Sequence, residues 1–199
     1  MGLFGFGDRP EQRFWRWFRE HEGELFSFEQ DQERVFDALS RALARVHPHL
    51  TFEFGPHAHG RRDFVVSADG LRDAFPAVDA LVGAAPPLPR WRVVRFRPRR
   101  DPAVTLRIGD VAVDGTKVFV AVAREGPKFA LTLFVDGYRS TSGHVYEQIA
   151  LLLLDVTLGE YDVETRIGTI EVAGAAPAPA TGLLPLSALP ALVDGARAL

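Results

Sequence analysis

Two stretches of this chain run through the same order of elements, and that repetition restricts the fold more than any other feature. Residues 50–98 and 117–172 each read strand, strand, helix, strand. Their second strands end alike, Phe64-Val-Val-Ser-Ala-Asp-Gly70 against Leu131-Thr-Leu-Phe-Val-Asp-Gly137. Strand pairs punctuated by one helix per unit predict an α+β fold: a mainly antiparallel sheet built from two ββαβ units, with helices packed mostly on one face. The expected organisation is a single domain over 1–172, opened by two helices ahead of the repeat. A Pro/Ala linker and a short amphipathic helix then fill 173–199.

Each element has a local cause. Asp8 and Glu11 suit the start of a helix over 9–22, Pro10 is tolerated in its first turn, and Gly23 ends it. Its apolar residues are all aromatic. Phe14, Trp17 and Phe18 make one stripe at helical spacing, and Trp15 lies off its centre. A second helix is expected over 28–46, capped by Ser27 with Gln30, with Val35, Leu39, Ala42, Leu43 and Val46 inward. Strands follow over 50–54, 62–68 and 91–97, with a helix over 71–82 packing Leu71, Phe75, Val78 and Val82. The second half offers a short strand at 104–108 and a pair at 118–123 and 129–135. It continues with an apolar helix over 144–158 and a last strand from Val163 to Val172. The inward parity of that strand switches across Gly168, which predicts a β-bulge there.

Composition excludes more than it identifies. The 199 residues are 47% hydrophobic, enough for a real core. A formal net charge of −3 gives no general attraction to polyanions or anionic membranes. There is no cysteine, so disulfide, thiolate and cysteine-metal chemistry are excluded. The apolar run at 149–154 is far short of a membrane span, and the N-terminus lacks the parts of a signal peptide, so a cytoplasmic location is expected.

The runs Phe14-Trp-Arg-Trp-Phe, Thr51-Phe-Glu-Phe-Gly-Pro, Ser67-Ala-Asp-Gly, Phe96-Arg-Pro-Arg and Leu158-Gly-Glu-Tyr-Asp are similar to those of a family of uncharacterised bacterial proteins. The resemblance covers most of the chain. It implies a bacterial cytoplasmic α+β protein and carries no activity and no site residue with it.

Four clusters bear chemistry. His47, His49, His57 and His59 crowd one stretch, but an extended strand sets the two pairs about 16–17 Å apart. A solvated loop is the expected reading, with no metal site. Arg92, Arg95 and Arg97 with Trp91 make a candidate anion surface, since Trp91, Arg95 and Arg97 share a strand face. Trp15, Trp17 and Arg16 on the aromatic helix make a candidate partner surface, because Trp and Arg carry protein interfaces. Asp155, Glu160, Asp162 and Glu164 read as a polar helix face, a turn and a strand exit rather than an acid–base pair. Phosphate-loop, dinucleotide and nucleophile-elbow motifs are missing. The expectation is a non-enzymatic protein without cofactor that binds another protein in an accessory, adaptor or immunity-like role. The alternative is a binder of an anionic ligand or nucleic acid through the arginine strand.

Overall fold

The computed structural model describes residues 8–175 and 182–196. The apolar start Met1–Gly7 and most of the expected linker lie outside them. The architecture is α+β, with seven α-helices and three small sheets among the described residues. The chain divides into two compact units, Met1–Arg97 and Pro98–Leu199, each with its own hydrophobic core, where one domain and one sheet were expected.

The first unit opens with α1 (Pro10–Glu20) and α2 (Glu22–Phe26), followed by α3 (Gln32–Ala44). Gln12, rather than Glu11, closes the start of α1, its Oε1 accepting the Arg9 N–H at 3.2 Å. The expected helix over 28–46 is interrupted at Asp31, whose φ of −156° is not helical; a 3-10 turn precedes it and α3 follows. Strands β1 (Thr51–Phe54), β2 (Arg62–Ser67) and β3 (Trp91–Arg95) form a sheet in that order. β1 runs antiparallel to β2, and β2 parallel to β3. A parallel neighbour needs a crossover, and α4 (Phe75–Gly83) supplies it, with Pro76 in its first turn. Leu71 is exposed rather than packed, because a 3-10 turn at Arg72–Ala74 comes before α4.

An aromatic cluster holds this unit together. Phe64 on the central strand is fully buried and has ring neighbours in Phe14, Trp15, Phe18, Phe52, Phe54 and Trp91. Full burial of one such ring is worth about 1.5–3 kcal/mol, so a few of them outweigh any surface ion pair nearby.

The second unit begins with a hairpin, β4 (Thr105–Ile108) and β5 (Val111–Asp114), turning at Gly109 with φ 56°. β6 (Phe119–Glu125) and β7 (Lys128–Val135) pair antiparallel. The helix α5 (Gly143–Leu158) is separated from α6 (Glu160–Arg166) by Gly159 at φ 76°. β8 (Ile167–Gly174) then joins β7 in parallel. The expected strand over 163–166 is therefore helix, and only its later part is sheet. The register shifts where Gly168 and Thr169 stand opposite the single residue Ala130 of β7, which is the predicted bulge. Across it the Glu125 carboxylate accepts the Thr169 N–H and hydroxyl, each at 2.8 Å. Last come β9 (Leu184–Pro185), which pairs with β6, and α7 (Leu189–Gly195).

Arg99 ties the two ends of this unit together. Its Nε donates to the Leu158 carbonyl at 3.0 Å, and its Nη atoms reach Asp194 at 2.7 and 2.9 Å and Asp162 at 2.5 Å. Donation to the Asp194 carboxylate leads in holding this guanidinium above its ordinary pKa.

Candidate partner-binding groove

The aromatic helix does not present its tryptophans to solvent. Trp15 is 3% exposed, and its indole Nε1–H donates to the Leu81 carbonyl at the end of α4, at 2.8 Å. The stripe that turns inward is Phe14, Trp15 and Phe18. Trp17 is half-buried and stacks on His21 with ring centres 4.5 Å apart. The His21 Nδ1–H donates to the Trp17 carbonyl at 2.8 Å. Of the three residues expected at a partner surface, only Arg16 is exposed, and it pairs with Asp8.

What α1 does offer is a groove. Gln12, Arg16, Arg19 and Glu20 follow one helix face at spacings of three to four residues. Together with Ala84 and Pro86 from the proline-rich stretch after α4, they line a hollow of about 580 Å³, with Trp15 contributing to its wall. The Trp15 bond to Leu81 fixes α1 against the end of α4 and so fixes the width of the hollow. Arg19 has no acid at ion-pair distance among the described residues, and it shares this groove with Arg16 and Glu20.

The arginine strand is arranged otherwise. Trp91 is buried in the aromatic core and cannot stack on a base. Arg92 grips Asp63 through two bonds at 2.7 and 2.5 Å, and those bonds hold its guanidinium above its ordinary pKa. Arg95 pairs with Asp79 at 3.0 Å, and Arg97 with Asp69 at 2.9 Å and with the Ser67 hydroxyl at 3.0 Å. The shared face also ends early. Phe96 adopts φ 59° and turns into the core, so Arg97 no longer follows the alternation of β3. Nearby, Arg62 is 6% exposed, paired with Glu29 at 2.6 Å and lying 4.6 Å above the Phe28 ring. These cations are committed to carboxylates of the same unit.

The His47 and His49 rings are 5.6 Å from each other, whereas His57 packs edge-on against Phe26. Among the described residues no group of three His, Asp or Glu side chains is placed to hold a metal. In the second unit Glu160 and Asp162 are buried, and Asp162 is the partner of Arg99. No helix among the described residues is long and apolar enough to cross a membrane. No family model, curated protein or solved structure matches the chain.

Proposed function

We propose that this chain is a non-enzymatic cytoplasmic protein of accessory, adaptor or immunity-like type, and that it binds another protein through the groove beside α1. The observation that carries the reading is Arg19, which has no acid at ion-pair distance among the described residues, on a hollow bordered by Pro86. Arg beside a concavity is among the side chains that dominate protein interfaces. The cation favours an acidic segment on the partner. The alternative, an anion or nucleic-acid surface on β3, loses support because Arg92, Arg95 and Arg97 are already paired and Trp91 is buried.

A photocrosslinking residue at Gln12 tests this in cells, with the same residue at exposed Arg41 on α3 as control. The expected result is one protein adduct from position 12, absent from position 41 and lost with Arg19→Glu. No adduct, or equal adducts from both positions, refutes the groove. Titration with a polyanion separates the alternative, which requires binding that falls steeply with salt; flat or absent binding is expected.

A further inference from the structure

β6 is flanked on one side by β7 along its whole length and on the other only by β9, which is two residues long. β9 pairs with Phe119 and Val120 and then stops. Backbone groups of alternate strand residues face opposite neighbours. The Leu186 N–H donates to the Val118 carbonyl at 3.0 Å, so Val118 faces the β9 side. By the same period, Val120, Val122 and Arg124 face that side too, and Ala121 and Ala123 face β7. Among the described residues nothing takes up the outward N–H and C=O of Val122 and Arg124.

Beside Val122 and Arg124 lies a hollow of about 320 Å³, lined by Val122, Ala123, Arg124, Phe129, Leu192 and Ala196. The guanidinium of Arg124 stands 4.3 Å from the centre of the Phe129 ring at this hollow. It has no carboxylate at ion-pair distance among the described residues. The adjacent acid, Glu125, is already held by Thr169. Among the described residues, a strand edge without a neighbour, an apolar recess and a cation without an acid partner therefore meet within three residues of one strand.

We propose that the β6 edge accepts an extended segment of a partner protein as an added strand. Main-chain bonds to Val122 and Arg124 supply the attachment. The side chains of Val122 and Arg124 lie on one face, two residues apart. A matching segment therefore carries an apolar side chain for the hollow and, two positions away, an aspartate or glutamate facing Arg124. This site is independent of the α1 groove and lies in the other unit.

Phage-displayed random octapeptides selected on the full-length chain test it. The expected outcome is an enriched family with an apolar residue two positions from Asp or Glu. A synthetic member should lose roughly tenfold in affinity on Arg124→Glu, and as much when alternate peptide nitrogens are methylated, as lost main-chain bonds require. Ala196→Trp, which fills the hollow, should block it, and Arg19→Glu should leave it unchanged. No enriched family, or binding indifferent to N-methylation, overturns the proposal. So does hydrogen-exchange protection of the Val122 and Arg124 amides in the unliganded chain. If that protection accompanies a dimer in native mass spectrometry, the edge belongs to a second copy instead.

Discussion

Replacing Trp15 by alanine removes a buried indole from a packed aromatic wall, and the structure fixes what that should do. Loss of a buried Trp side chain costs about 3–5 kcal/mol in transfer and cavity terms. The indole hydrogen bond adds little beyond about 1 kcal/mol, because the Leu81 carbonyl also accepts from the Ala84 N–H at 3.3 Å. A slope of about 1–3 kcal/mol per molar urea then moves the midpoint down by roughly 2 M. The assay is unusually clean, since Trp15, Trp17 and Trp91, the chain's three tryptophans, all belong to the first unit. Fluorescence of the remaining Trp17 and Trp91 therefore reports that unit alone. Trp15→Phe keeps most of the packing and should lose about 1–2 kcal/mol, a shift near 1 M or less. An unchanged midpoint in Trp15→Ala would mean that Trp15 is not a core residue, and the account of the groove wall would fall with it.

Other consequences are equally open to measurement. Arg99→Met removes the cation that faces the buried Asp162 carboxylate; discounted for partial exposure, the loss should be about 2–3 kcal/mol. It should appear in the NMR ring signals of Tyr138, Tyr146 and Tyr161, all in the second unit, while tryptophan fluorescence stays unchanged. Gly115→Ala should be among the most damaging single-methyl additions, because the new Cβ would lie 2.1 Å from the Pro102 carbonyl oxygen, a backbone atom that cannot swing away. Gly168→Ala should be milder in a parallel urea titration, since the atom it meets ends a side chain that can swing away at the cost of its Thr169 bonds. Backbone and hydroxyl donation from Thr169 holds the Glu125 carboxyl below its ordinary pKa, so its stabilising effect is complete above the unfolded value near 4.3. That effect fades as pH falls through the lower folded value. An NMR titration of the Thr169 amide should show the low midpoint, and Glu125→Gln should abolish the step.

Local patterns in the sequence reached the elements well and the surfaces badly. The apolar positions Val35, Leu39, Ala42 and Leu43 turn inward as their spacing demands, and so do Phe64, Val66 and Ala68. Aromatics at 14, 15, 17 and 18 span too wide an arc for periodicity to rank them. What draws Trp15 inward is a carbonyl 66 positions away, which no local pattern contains. The partners of the arginine strand are as hidden from local pattern: Asp63, Asp69 and Asp79, which pair with it, are brought near by the fold. Val163 and Thr165 alternate as a strand would, yet the turn at Gly159 starts a new helix that takes them up. Beside the expected short strand at 104–108, which is β4, the β5 half of the hairpin is also legible, for Gly109-Asp110 between apolar runs is a turn signal. The parallel pairings β2–β3 and β7–β8 follow from the helix placed between their strands, although a mainly antiparallel sheet was expected.

The Arg99 contacts also set an order of events during synthesis. Every strand of the first sheet, and the helices that pack with it, lie before residue 98, so that unit can close while the remainder is still being translated. The second unit has no such freedom. Its bond from Arg99 to Asp194 spans 95 positions, and its core waits for Leu186, Leu189 and Val193. A ribosome that stalls or terminates shortly before α7 would release a chain with one finished half and one half lacking its last wall, and quality-control proteases would meet exposed apolar surface in the second half alone.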